Sequence, residues 1–398
     1  MPRKSELLSP PIELDKAHVG AIEEYDYTEG PDFSEETDKV ELKPDRLKWG
    51  RATEVLYEGR FKRFPPHMVM GERILIFGKI KPTPVGQDQP EIKTESHLQE
   101  HGLITVHEIT AEALSKETIP PEVAQALLTD KRVEDNLQWF LIHAKNAFKD
   151  VKGLAHQYGQ WDREEREHSL IDGMILETAG GMSREFIDED YEVTQENSWK
   201  PPFRSDIQMV IYAMMQERAT RDHYIRLRKL IKEVAPKSAL ALGLVASDEG
   251  LHGASYEDDA EAYARISPAC AVEAAHAALD VGARFRMPSL HLMRDRFAET
   301  KRSMELVGDS IDTHAEVARG SLEDLSFVPN SKIDEVVEYY RKTEPRRIAK
   351  ILIDLRRAEK EKAAANKVGG NGSSSGNTED SGKNLALPSS GEIFNPQE

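Results

Sequence analysis

Trp161-Asp162-Arg163-Glu164-Glu165-Arg166-Glu167-His168 and Ser247-Asp248-Glu249-Gly250-Leu251-His252 decide how this chain folds. Each stretch ends in Glu-x-x-His. Residues three apart share one face of a helix, so a Glu and a His at that spacing can grip one metal ion together. Two more glutamates lie in helical patterns, Glu134 in Val133-Glu-Asp-Asn-Leu137 and Glu217 in Gln216-Glu-Arg-Ala-Thr220. Alone, a Glu-x-x-His is commonly a solvated pair, and Glu134 reads as a surface residue. Together they run Glu, Glu-x-x-His, Glu, Glu-x-x-His, each on its own candidate helix. Four carboxylates neutralise two divalent ions, and the oxygen and nitrogen donors suit iron or manganese better than a thiolate site would.

One Glu from each of two helices, with Glu-x-x-His from each of two others, is the ligand set of ferritin-like di-iron and di-manganese bundles. The expected fold is therefore all-α: a four-helix di-metal bundle with additional helices. Ile119-Pro120-Pro121-Glu122 sets prolines at the first turn of a helix, where a missing N–H costs nothing. This helix runs through Leu127, Glu134, Leu137, Leu141 and Phe148. Glu134 shares a face with Leu137 and Leu141, so it points inward, and a metal removes the cost of burying it. The second helix carries Trp161 to about Thr178 and stops at Gly180-Gly181. Residues 184–204 read as a polar connection. The third helix spans about Ser205 to Val234 and the fourth about Ser238 to Tyr263. Further helical patterns lie near 268–284, 292–306 and 331–365.

Outside the bundle, residues 1–45 carry 13 Asp or Glu against 5 Lys or Arg with scattered prolines, and are expected to be largely disordered. Residues 46–95 form an extension without a motif. Val55-Leu56-Tyr57 and Ile74-Leu75-Ile76-Phe77 are β-favouring runs there, consistent with two short strands or a strap. The helical domain is expected over 96–363 and a Gly-, Ser- and Asn-rich flexible tail over 364–398. The net charge of −18 argues against a general nucleic-acid binder. One cysteine, Cys270, precludes an intramolecular disulfide and points to a reducing compartment. No apolar run approaches the ~20 residues of a membrane helix. The N-terminus lacks the apolar centre of a secretory signal. The expectation is a cytoplasmic protein, or a stromal one in a plant or alga.

The chain resembles the soluble acyl-carrier-protein desaturases of plastids and actinobacteria over about 115–357. Trp161, Glu164, Glu165 and His168 match that family's Trp-x-x-Glu-Glu-x-x-His. Ile211, Tyr212 and Gln216 to Thr220 match Ile-Tyr-x-x-x-Gln-Glu-Arg-Ala-Thr. Asp248, Glu249, His252 and Tyr256 match Asp-Glu-x-x-His-x-x-x-Tyr. Met287-Pro288 with His291-Leu292-Met293, and Pro345-Arg346-Arg347-Ile348, resemble later family segments. The resemblance implies two ferrous ions bridged by Glu165 and Glu249, with Glu134 and His168 on one and Glu217 and His252 on the other. It implies Asp248 orienting a histidine, Thr220 beside the oxygen-binding face, a ferredoxin-type electron donor, acyl carrier protein as partner, and a homodimer.

Met209 and Val210 stand where plant members have Gly-Phe along the acyl channel, so a filled channel end and a shorter or differently bent acyl chain are expected. His143, Lys145 and Asn146 are more polar than in the plant enzymes, either as solvated residues or as the lining of a more polar pocket. Arg226, Arg228 and Lys229, with Arg218, Arg221 and Lys232, form a basic stretch suited to an acidic carrier protein; salt-bridged helix faces are the plain alternative. Four rival readings stand beside the desaturase: a di-iron hydroxylase or N-oxygenase, an iron-storage bundle, a ribonucleotide-reductase small subunit, and a homologue that has lost its metal. The reductase class requires a radical-forming tyrosine near the first ligand helix; none lies between Leu127 and Asp150, although one could come from elsewhere in the chain.

Overall fold

The computed structural model describes residues 45–60, 67–77, 106–196, 203, 205–286 and 297–369. The acidic segment up to residue 44, Met287-Pro288, His291 to Met293 and the tail beyond 369 lie outside them. The elements are α1 (Arg46–Arg60), β1 (His67–Met70), β2 (Arg73–Phe77), β3 (Val106–Thr110), α2 (Ala111–Leu114), α3 (Pro121–Phe148), α4 (Lys152–Thr178), α5 (Arg184–Glu196), α6 (Asp206–Ile231), α7 (Pro236–Ala264), α8 (Pro268–Arg284), α9 (Phe297–Leu306), α10 (Ile311–Asp324) and α11 (Asn330–Gly369). Two units divide the chain, Met1–Lys350 and Ile351–Glu398. The first holds the bundle; the described part of the second is the C-terminal end of α11. The expected helical fold is what the described residues adopt.

Helix ends follow the local chemistry. Pro121 and Pro236 open α3 and α7 at the first turn, where no N–H is needed. Ser205 caps α6 by accepting from the Gln208 N–H, and Ser267 caps α8 from Cys270. Beyond α4, Gly181 takes a left-handed φ of 67° while the Met182 N–H returns to the Leu176 carbonyl, closing the helix at the expected glycines.

Two expectations are corrected, and one helix is added. Val55-Leu56-Tyr57 lies in helix α1, where Trp49 and Thr53 form a buried face against α4 and α7. Residues 184–196 are helix α5 rather than a polar connection. Ile187, Asp190 and Thr194 form its buried stripe, and Asp190 accepts two hydrogen bonds of 2.8 Å from Arg132 on α3. Helix α10 went unread in the sequence; Ser310 and Thr313 supply its reciprocal cap. The run 74–77 is a strand, as expected, in the antiparallel sheet β1-β2-β3.

The apolar core forms two clusters, and each ligand helix crosses from one to the other. On α3, Leu127 and Leu128 belong to the second cluster and Leu137 and Leu141 to the first. On α4, Trp161 is in the first and Ile171 in the second. Helix α6 passes from Ala219 to Tyr224, and α7 from Ala246 to Tyr256, across the same division. Glu165, His168, Glu249 and His252 fall within that interval, and Glu134 and Glu217 lie at its edge on the side of the first cluster.

Candidate metal centre

Four helices bring the six residues together at the break between the clusters. Glu134 comes from α3, Glu165 and His168 from α4, Glu217 from α6, and Glu249 and His252 from α7. All six are buried, none more than 7 % exposed. They form two groups: Glu134, Glu165, His168 and Glu249, and Glu165, Glu217, Glu249 and His252. Within each, one ligand atom per residue lies within 4.8 Å of all the others. Glu165 and Glu249 are common to both.

The histidines are oriented for this. His168 Nδ1 lies 2.8 Å from Glu165 Oε2 and 3.2 Å from Glu249 Oε1, facing the cluster. His252 Nδ1 lies 3.0 Å from Glu165 Oε1 and 3.1 Å from Glu217 Oε2. The opposite nitrogens meet outer carboxylates. His168 Nε2 is 3.4 Å from Asp248 Oδ2, and His252 Nε2 is 2.7 Å from Glu164 Oε2. A carboxylate on Nε2 holds the proton there and leaves the Nδ1 lone pair for a metal. The arrangement is reciprocal: the acid preceding the glutamate of each Glu-x-x-His supports the histidine of the other. Gln160 donates to Glu164 at 2.8 Å, and Tyr57 of α1 lies 3.4 Å from Gln160, so the N-terminal helix buttresses this side.

The electrostatics ask for cations. Burial, then the neighbouring Glu165 and Glu249, push the Glu134 carboxyl well above its usual range. Glu217 is raised in the same way, by burial and then by Glu249 and Glu165. Burial works against ionisation of Glu165 too, but His168 and His252 outweigh it and hold this carboxyl low. Burial disfavours the imidazolium of His168, yet Glu165 raises it well above the normal value. Protons thus offset part of the carboxylate charge, which is the task two divalent ions would perform. Four carboxylates, two inward Nδ1 atoms and two outer supports fit such a pair.

Thr220 Oγ lies 3.0 Å from Glu249 Oε2, besides the carbonyls of Gln216 and Glu217. Met209 and Val210 are buried in the first cluster, two turns before Glu217. Lys145 and Asn146 are exposed and Lys145 pairs with Asp162 at 2.6 Å, so neither lines a polar pocket. Arg228 and Lys229 are exposed, whereas Arg226 binds buried Asp309 at 2.9 Å. Arg218 pairs with Asp324, so part of the basic stretch is salt-bridged helix face.

Sequence reading assigned no role to Glu164, Asp172 or Tyr224. A signal existed in the helical spacing. Glu165, His168 and Asp172 fall at i, i+3 and i+7, as do Glu217, Thr220 and Tyr224. Tyr224 brings a tyrosine to the first ligand helix from elsewhere in the sequence. Arriving from α6, its hydroxyl lies 3.0 Å from Glu134 Oε1 and 2.8 Å from Asp172 Oδ2.

Fold and site together define a helical bundle whose buried glutamates and histidines could hold two metal ions. The fatty acid desaturase family matches residues 97–317, more than half of the chain, and the chain belongs to that family. A comparison with curated proteins gives no match. The resemblance read from the motifs therefore holds at the level of the family, and the protein is an oxidoreductase of the desaturase kind. Among the described residues no helix is long and apolar enough to cross a membrane.

Proposed function

We propose that this protein desaturates a fatty acyl chain carried on acyl carrier protein, using two irons, dioxygen and two electrons from a ferredoxin-type donor. The observation that carries the reading is the pair of overlapping ligand groups within a chain of the desaturase family. Glu165 and Glu249, common to both groups, would contribute to both iron sites. Glu134 and His168 complete one iron site, and Glu217 and His252 the other. Bound ferrous ions would supply electrons to dioxygen and so an oxidant able to take hydrogen from an unactivated carbon.

The chain's own residues do the rest. Asp248 and Glu164 fix the two imidazole planes. Thr220 offers its hydroxyl to Glu249 one turn beyond Glu217, at the face assigned to oxygen. The first apolar cluster, with Phe140, Tyr212 and Phe285 beside Met209 and Val210, keeps water from the reacting carbon and receives the acyl tail. Met209 closes the channel end, so Met209→Gly is expected to shift the preference towards longer acyl chains. The same length preference in the variant would remove Met209 from that role. Arg228 and Lys229 are exposed and contribute to carrier docking, with Arg226 behind them tied to Asp309. The protein acts as a homodimer in a reducing, cytoplasmic or stromal compartment.

The test is product analysis. Iron-loaded protein is given reduced ferredoxin, oxygen and acyl carrier proteins of graded chain length, and the acyl group is weighed. Loss of two hydrogens supports desaturation. Gain of one oxygen assigns a related di-iron hydroxylase, and an unchanged acyl group removes this substrate class.

A further inference from the structure

Tyr224 has a position that desaturation does not use. Its side chain is fully buried, and its hydroxyl sits between Glu134 on α3 and Asp172 on α4. A phenol has one proton and here meets two carboxylates, so one proton shared in two directions joins the candidate site to a buried acid behind it. Asp172 Oδ1 has no hydrogen-bond partner among the described residues. Two other buried tyrosines stand near the site, Tyr158 and Tyr256, yet neither hydroxyl makes a hydrogen bond to a carboxylate.

The contrast matters because a phenol loses an electron readily only when its proton can leave with it. A buried tyrosine without an acceptor would be left as a cation in a low-dielectric core, at high cost. Tyr224 alone of these three touches a candidate metal ligand on one side and has an independent base on the other. Asp172 Oδ2 already accepts the Tyr224 hydroxyl at 2.8 Å and belongs to neither ligand group, so it can take the proton while Glu134 is engaged by metal.

We propose that Tyr224 is a redox-active residue that discharges the oxidised site when no acyl chain is in place. The inference rests on the two-iron reading above. Dioxygen is the oxidant. After it has oxidised the iron-loaded site, Tyr224 gives one electron to that site. Its O–H bond breaks, the proton forms a new O–H bond on Asp172 Oδ2, and a neutral tyrosyl radical remains. The site is reduced by one electron and the phenol oxidised by one, so charge and protons balance. Tyr224 thereby offers a route for an unused oxidising equivalent that does not consume the ligands themselves.

The experiment uses the full chain, reconstituted anaerobically with ferrous iron and counted for iron. It is then mixed with oxygen without acyl substrate and frozen for electron paramagnetic resonance. The expected result is an organic radical whose spectrum narrows when the protein carries ring-deuterated tyrosine. The signal should be lost in Tyr224→Phe and diminished in Asp172→Asn, while Tyr158→Phe and Tyr256→Phe keep it. Iron-loaded wild type without a tyrosine radical, or a radical that survives Tyr224→Phe, would overturn the proposal. The iron count separates the two levels: no bound iron in wild type removes the two-iron reading and this inference with it. Should Tyr224→Phe lose iron, Asp172→Asn carries the test: a tyrosine radical undiminished in that variant, with its iron retained, would overturn the proposal.

Discussion

Each histidine of the centre depends on a residue from the opposite motif. Glu164 meets His252 Nε2 at 2.7 Å, and without it a buried N–H would lose its acceptor. Glu164→Ala should weaken iron binding about 10–100-fold, as loss of such supports usually does. Competition with a chelator measures this, and unchanged affinity would leave Glu164 a packing residue. Glu164 was legible only as part of a motif match. Its role comes from tertiary placement, which brings α4 against α7. Asp248 could be placed from its resemblance because its motif carries the role, whereas Tyr224 reaches Glu134 from a helix 90 residues away in sequence.

His223 gives a residue-level prediction of pH dependence. It lies 3.2 Å from Asp130 and 4.0 Å from Asp309, with Arg226 and His314 around the same Asp309. Burial lowers its pKa from 6.5 to about 4, against the pull of Asp309. Between those values the unfolded chain binds a proton that the folded chain does not. Stability is therefore lost as pH falls from 6.5 towards 4, by up to about 3 kcal/mol from this group. Thermal unfolding of His223→Gln across that range should show a slope shallower by one proton. An identical slope would mean that His223 does not stay neutral in the fold.

At the scale of elements, α1 is fixed to the bundle by close backbone approach. A Cβ at Gly153 on α4 would lie 2.1 Å from the Thr53 carbonyl carbon, so nothing larger than glycine fits there. Trp49 is buried beside it, edge-on to Phe148 and Tyr263, and donates to the Asp259 carbonyl at 3.1 Å. Gly153→Val should displace α1 and cost about 1–3 kcal/mol. Faster hydrogen exchange confined to residues 46–60 and their partners would report it; unaltered exchange and stability would contradict the contact. The long ligand helices were legible because proline starts, glycine stops and a sustained apolar period agree along them. Helix α1 was misread because Val55-Leu56-Tyr57 is locally β-favouring, and burial of Trp49 and Thr53 overrides three residues of propensity. Helix α5 was missed because its exposed faces are strongly acidic and its buried stripe holds Asp190 and Thr194, which are satisfied only by partners on other helices or its own backbone.

For the molecule as a whole, the core is divided and the candidate centre occupies the division. Apolar packing above and below holds four helices at fixed spacing, while the carboxylates between them repel one another. Occupation by metal should therefore stabilise the fold, because an ion that binds only the native state shifts unfolding by mass action, about 2.7 kcal/mol at a hundredfold excess over its dissociation constant. Removing iron with a chelator should lower the unfolding temperature and re-addition restore it. An unfolding temperature indifferent to iron would show that the cluster does not bind it. The helical bundle followed from the doubled motif, since its six residues require four helices. The role of the chain before residue 106 was not legible, because no motif there carries chemistry and its effect passes through contacts such as Tyr57 on Gln160.

The account stands most directly on iron stoichiometry. Purified protein, stripped of metal and reconstituted anaerobically with ferrous iron, should retain about two irons per chain after desalting, as a four-carboxylate, two-histidine bundle site requires. Glu165→Ala, which removes a residue common to both groups, should bring that number towards zero. Wild-type protein that retains no iron, or retains the same iron after loss of Glu165, would contradict the di-iron centre.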